Sequence, residues 1–271
     1  MTNNQSLPRK TLLGFAVVAP FLTVALLEKN VLVALAPLFV SHLLLLYATL
    51  VPNCTWWGPV VRSFHTSERE VWLTIDDGPC IAHTEKILDL LDQFEARATF
   101  FVIGSQAEAH PHLVTEILAR GQALANHTFQ HPSRGFWRFS ARAIAREIDR
   151  CAETLRIRPD RPQLFFRSPA GLKNPFVHPI LFARGLVLVG WTVRGFDTLL
   201  RDPAAVAERV ARRIRPGAII VLHEGHRVQR DPEFNLRCIE LTLRRATQKN
   251  YRFVIPREEQ LNFSGKRKGD Y

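Results

Sequence analysis

Cysteine is scarce in this chain and never paired in spacing. Cys54, Cys80, Cys151 and Cys238 stand far apart, which excludes a disulfide scaffold and fits reduced thiols. Acidic residues are too few to balance the basic ones, 25 against 36, leaving a formal charge of +11. That deficit points to anionic partners such as lipid head groups or phosphorylated glycans. Nucleic acid would also satisfy the charge, but neither an RNA-binding aromatic signature nor a zinc-finger spacing accompanies it, and no nucleic-acid partner is expected. Internal repeats and low-complexity tracts are absent as well.

Charge is missing altogether from residues 11–27 and 31–51, which only Glu28-Lys29-Asn30 separates. At about 1.5 Å per residue the second run reaches roughly 30 Å and can cross a bilayer, while the first, at about 25 Å, is marginal. Neither run has a polar face, which argues against two core helices. A small-residue cleavage site is lacking too, which argues against a removed signal peptide. The reading is a retained membrane hairpin, kinked but not broken by Pro20 and Pro37. Arg9 and Lys10 precede the first run, and Arg62 follows the second beyond Trp56-Trp57. A hairpin keeps both basic flanks on the cytoplasmic side of a bacterial inner membrane and leaves the rest of the chain in the cytosol. If only the second run crosses, that remainder moves outside.

The 271 residues are 46% hydrophobic and 23% charged, enough for one large α/β domain and an appendage. Beyond the linker at 63–70, β-prone stretches at 71–76, 98–103, 123–126, 164–167, 186–193, 218–222 and 252–255 alternate with helical patterns at 85–94, 111–120, 141–155, 175–183, 203–214 and 234–248. Such alternation implies a parallel sheet wrapped by helices, and the count suits a (β/α) barrel, complete or irregular. The expected divisions are an anchor at 1–62, a catalytic domain at 63–258 and a basic tail at 259–271, where Lys266-Arg267-Lys268 is a short basic run expected in solvent, with lipid contact as the alternative.

One stretch is chemically costly. Thr74-Ile75-Asp76-Asp77-Gly78-Pro79 follows the apolar Val71-Trp72-Leu73, so two carboxylates sit together at the end of a buried strand. Like charges this close raise each other's pKa unless a cation neutralises one, and a metal is the obvious candidate. Alone, Asp-Asp-Gly-Pro is more often a capped turn. His127 and His131, four apart, face the same way on a helical turn and with Asp77 make two imidazoles and a carboxylate, a set with open positions. The pair His223 and His226 has only Glu224 beside it and ranks lower.

Further on come Asn126-His127-Thr128-Phe129-Gln130-His131, Arg167-Ser168-Pro169-Ala170-Gly171, Trp191 with Asp197, and Leu222-His223-Glu224. Together with the aspartates, these resemble the five motifs of the polysaccharide deacetylases, the NodB-like, metal-dependent carbohydrate esterases of family 4. The resemblance runs from about residue 71 to 255 and implies that family's distorted (β/α) barrel. It implies metal ligation by Asp77, His127 and His131, with Zn²⁺ favoured over Co²⁺, Ni²⁺ or Mn²⁺, and it implies Asp76 as the base. Arg167 would orient Asp76, His223 would protonate the leaving amine, and Asp197 would steady the set. Ala170 would offer a backbone amide to the oxyanion; Trp191 and Leu222 complete the substrate-contacting residues. Ala170 stands where the family commonly has an aromatic, and Thr198 where it usually has tryptophan, so substrate preference does not carry over. The function expected is removal of N-acetyl groups from an amino-sugar glycan or a lipid-linked sugar. The alternatives are an O-acetyl esterase acting on a polysaccharide and an inactive, membrane-anchored sugar-binding protein.

Overall fold

The computed structural model describes residues 7–155, 165–225 and 231–261. The two uncharged runs become α1 (Leu7–Leu26) and α2 (Val31–Leu50). Asn30 starts α2 by accepting hydrogen bonds from the amides of Leu32 (2.8 Å) and Val33 (3.2 Å), donors that a helix start otherwise leaves open. The helices pack along each other, yet Phe21, Val24, Leu32 and Phe39 point outward. Both are long and apolar enough to cross a membrane, and only 11% and 17% of their apolar windows are buried. Core helices would be mostly covered.

The rest alternates strand and helix. In chain order come β1 (Glu70–Gly78), α3 (Thr84–Gln93), β2 (Ala98–Val102), α4 (Gly104–Ala109), α5 (Pro111–Ala119), β3 (Ala123–Asn126), α6 (Ala141–Thr154), β4 (Phe165–Phe166), α7 (Val177–Ala183), β5 (Val187–Leu188), β6 (Val193–Arg194), α8 (Pro203–Ala211), β7 (Ala218–His223), α9 (Phe234–Gln248) and β8 (Arg252–Phe253). The strands pair in parallel in the order β5-β4-β3-β2-β1-β7-β6, with β8 beside the start of β1. The expected parallel sheet with covering helices is present. Helix α4 was not expected, because its Gly-Ser-Gln-Ala-Glu-Ala sequence has no apolar period. Leu164, His226 and residues 262–271 of the basic tail, with Lys266, Arg267 and Lys268, lie outside the described residues.

One expectation divides in two. The run 186–193 forms β5 and β6 rather than a single strand, and these are the two edges of the sheet. The sheet therefore curls towards itself through residues 189–192. Gly190 causes the break: its amide donates to the Val61 carbonyl (2.8 Å) and its own carbonyl accepts from Arg167 (2.9 Å). Residues 60–64 fill this seam, with Val61 bridged to Val189, Ser63 to Ala218 and Phe64 to Leu261. They straddle the expected boundary at 63.

Strand β1 sits between two interiors and alternates between them. Val71, Leu73 and Ile75 join the layer under the helices with Ile87, Leu91, Ile239 and Leu243. Trp72 faces the barrel interior with Phe101, Phe165 and Ile219, and its indole donates to Thr99 (2.9 Å). Register carries the strand ends to one level: Asp76 stands beside both Phe101 and His223, and Val102 beside Asn126.

Candidate active site

Strand alternation sends Asp76 inward after Trp72 and Thr74 and would send Asp77 the opposite way. A register shift between Asp76 and Gly78 prevents this, and Asp77 takes the left-handed φ of 73°. A bulge of this kind re-aims a side chain. Gly78 is required next to it, since a Cβ there would stand 1.8 Å from Oε1 of Glu224.

Oδ1 of Asp77 lies 3.3 Å from Nε2 of His127 and 3.2 Å from Nε2 of His131. The three ligand atoms fall within 4.8 Å of one another. Nδ1 of His127 is 2.8 Å from the carbonyl of Arg167, which can only accept, so Nδ1 carries the proton and Nε2 offers its lone pair. Two imidazole nitrogens and a carboxylate suit a borderline divalent ion such as Zn²⁺. The histidines do not ride on a helical turn. Residues 127–131 form an irregular turn with Thr128 and His131 at φ of 69° and 52°. Glu147 of α6 holds it by accepting from the amides of Phe129 (3.1 Å) and Gln130 (2.8 Å).

Asp76 is 3% exposed and is met by Arg167, itself 1% exposed, at 2.6 Å. The guanidinium also donates to Thr74 (2.8 Å), Val189 (3.2 Å) and Gly190 (2.9 Å), and stacks over Phe101 at 4.1 Å. Burial lowers its pKa and the Asp76 charge opposes that. Four of its five N–H donors are committed, so the cation is fixed in place. Oδ2 of Asp76 stands 3.9 Å from Nε2 of His127, on the side of the three-residue cluster.

Across the strand ends, the fully buried Asp197 accepts from the amide of His223 (2.7 Å) and lies 3.0 Å from its Nδ1. Burial by itself would lower the imidazole's pKa, but Asp197, aided by Asp77 and Asp76, pushes it up to about 9. Glu224, next in sequence, is buried and accepts from Thr84 (2.7 Å). Burial pushes its carboxyl up to about 8 against that hydrogen bond, and the group sits directly behind Gly78.

Ala170 is exposed at φ 53°, and its amide makes no backbone hydrogen bond among the described residues. Trp191 is half-buried beside it: Gly171 leaves room for Trp191 and for Pro52, which a Cβ would meet at 2.7 and 2.5 Å. Leu222 is a correction. Its side chain is wholly buried in the layer under the helices, against Gly195, and does not line the groove.

Sequence reasoning missed three kinds of residue. Thr74 carries no local signal. Glu147 does, because with Ile144, Ile148 and Cys151 it shares a helix face that otherwise packs inward. The third is the end of the hairpin: Nδ2 of Asn53 donates to the Trp191 carbonyl (2.8 Å), and the Lys173 amide donates to the Thr49 carbonyl (3.3 Å).

The family model for polysaccharide deacetylase matches residues 64–187. A chitooligosaccharide deacetylase of Sinorhizobium fredii is 34% identical over 161 residues, covering 59% of this chain and 74% of that protein. A peptidoglycan-N-acetylglucosamine deacetylase of Bacillus cereus is 28% identical over 203 residues, covering 74% and 92%. Among solved structures, a peptidoglycan N-acetylglucosamine deacetylase superposes with a TM-score of 0.63 at 28% identity, over 71% of this chain and 88% of that one. Sequence likeness and barrel geometry converge, and this chain belongs to the polysaccharide deacetylase family.

Proposed function

We propose that this chain is a membrane-anchored, metal-dependent deacetylase of N-acetylated amino sugars, with a glycan on a lipid carrier or close to the membrane as its substrate. Family membership makes it a hydrolase of a carbon–nitrogen bond outside peptides. The observation that carries the mechanism is the division between two adjacent aspartates: Asp77 turned to two imidazoles, Asp76 tied to a buried arginine.

In this reading Asp77, His127 and His131 hold a divalent ion, with Zn²⁺ the best match to the donors. Such an ion acidifies water and polarises an acyl carbonyl. Asp76 takes the water's proton through Oδ2, since Oδ1 is bound to Arg167. Arg167 keeps Asp76 ionised and stationary. The Ala170 amide stabilises the negative charge that develops on the carbonyl oxygen. His223, charged at neutral pH through Asp197, donates a proton to the departing amine. Trp191 walls the groove beside Ala170. A sugar-binding protein without activity has no use for a base, an acid and an open donor set together.

The hairpin gives the substrate its location. Exposed apolar side chains along α1 and α2 support membrane insertion, and the contact of Pro52 with the Gly171 and Trp191 positions puts the end of α2 beside the groove. A tether of this kind raises the effective concentration of substrates that share the bilayer. With both basic flanks on one side, the barrel faces the cytosol at the inner membrane. Residues 1–62 act as anchor and 63–258 as the catalytic domain, the seam at 60–64 joining them.

The test is acetate release by the full-length protein from acetylated chitooligosaccharides and from a lipid-linked acetylated sugar in liposomes, with and without chelator. Chelator-sensitive release, faster on the lipid-linked form, supports the proposal. Release that ignores chelator contradicts the metal, and equal rates on both substrates contradict the tether. Release from O-acetylated but not N-acetylated sugars makes the chain an esterase. A truncated chain starting at His65 is a poor comparison, because it removes Val61 and Phe64 from the seam.

A further inference from the structure

Three basic groups meet where the hairpin joins the barrel, and no carboxylate is paired with any of them among the described residues. Lys173 is wholly buried. Its ammonium donates to the carbonyls of Val51 (3.1 Å), which also accepts from the Cys54 amide, and Pro52 (2.7 Å), just past the end of α2. An ammonium has three protons, so one remains. His178, on α7, packs its ring against Gly58, and its Nε2 is enclosed without a hydrogen-bond partner. Arg9 lies in the first turn of α1, where a positive charge opposes the helix dipole, and its Nε is likewise enclosed and unpartnered.

The two cations bear on the imidazole. Burial first, then the charges of Lys173 and Arg9, hold the His178 ring down at about 3. Lys173 has a structural explanation as the cap of α2. Arg9 and His178 have none. Gathering cations in a poorly solvated place is unfavourable unless an anion joins them. Both helix ends that frame this place lie at the same end of the hairpin, the end nearest the barrel and level with the head groups of a bilayer that α1 and α2 cross.

We propose that Arg9, Lys173 and His178 form a binding site for the phosphate of a membrane lipid, beside the deacetylation groove. The site rests on the reading of the hairpin as a membrane anchor. Lys173 lies three residues beyond Ala170, and the loop between them contacts Pro52. A phosphate held here sits next to the sugar-binding face without touching the Asp77, His127 and His131 cluster. The site therefore suits either a resident phospholipid or the phosphate that joins an amino sugar to its lipid carrier; the chemistry recognised is the same.

Native mass spectrometry of the full-length protein in a neutral maltoside detergent tests this, with phosphatidylglycerol, a polyprenyl phosphate and inorganic phosphate as probes. Wild-type protein forms a one-to-one adduct with a lipid phosphate, and Arg9→Gln and His178→Gln each weaken it about tenfold. Neither variant changes acetate release from a soluble acetylated oligosaccharide. Preference for polyprenyl phosphate assigns the site to the substrate's own phosphate, and equal adducts with both lipids assign it to a resident phospholipid; both outcomes support the proposal. Adducts that survive unchanged in both variants overturn it, as does binding of inorganic phosphate as tight as that of the lipids, or no adduct at all. A wild-type protein that binds the lipids but releases no acetate overturns the deacetylase reading and leaves the phosphate site standing.

Discussion

The barrel and the hairpin solve burial in opposite ways. In the barrel, apolar side chains turn inward, and Arg167 and His223 each meet a carboxylate, Asp76 and Asp197. In the hairpin, apolar side chains turn outward, and at its base Arg9 and Lys173 have no carboxylate partner among the described residues. Water surrounding the barrel accounts for the first pattern, and under the proposed anchoring a bilayer with anionic head groups would account for the second. One chain therefore carries two kinds of interior, meeting at residues 49–64.

The comparison is broken most severely by unmatching a buried charge. Arg167→Met strands Asp76 in the barrel and should cost about 3–5 kcal/mol. Urea unfolding of the solubilised protein reads that loss, and a midpoint close to wild type would mean that the pair is not the keystone its four hydrogen bonds suggest. On the hairpin the corresponding insult is a charge on the outside. Phe39→Asp, near the middle of α2 on an exposed face, should oppose insertion by about 2.5–3.5 kcal/mol. Membrane association resistant to carbonate should fall; if it does not, α2 does not span.

A subtler change sharpens the account of the barrel's second ion pair. His223 has its pKa raised to about 9 from 6.5, so its pairing with Asp197 contributes stability fully below 6.5 and loses it as pH rises through about 9. Asp197→Asn removes the cause. The gap in stability between wild type and variant should be widest near pH 6 and close above about 9, and the alkaline fall in deacetylation rate should begin at lower pH in the variant. Superimposable alkaline limbs would mean that Asp197 does not tune the proton donor. The smallest effect is expected at the surface. Arg184 and Asp149 meet at 2.5 Å with side chains 29% and 43% exposed, and Arg184→Ala should cost no more than about 1 kcal/mol.

The two regions were also unequally legible in the sequence. Strand β1 was visible because an apolar, β-prone run ends in two aspartates, and Asp77, His127 and His131 because their motifs fall at strand ends. Local patterning cannot show how Asp77 is turned: alternation predicts the wrong side, and only the bulge after Asp76 corrects it. The turn at 127–131 presented the same difficulty, since His-x-x-x-His spacing is equally compatible with a helix and with the Glu147-held turn that forms. The break of 186–193 into β5 and β6 depends on Val61 and Arg167, and the junction depends on contacts such as Lys173 with Pro52. These partners lie far apart in the chain, and periodicity reads only neighbours. For the same reason the motif at Leu222-His223 reads Leu222 as a groove residue, although strand alternation sends it to the other face.

The central claim is that adjacent aspartates divide the work, Asp77 holding the metal and Asp76 moving the proton. Metal content measured together with turnover in purified Asp76→Asn tests it most directly. The account predicts one equivalent of divalent metal per chain, as in wild type and unlike His131→Ala, with turnover reduced about 100-fold or more. Metal lost along with activity, or near wild-type turnover with metal retained, would contradict it.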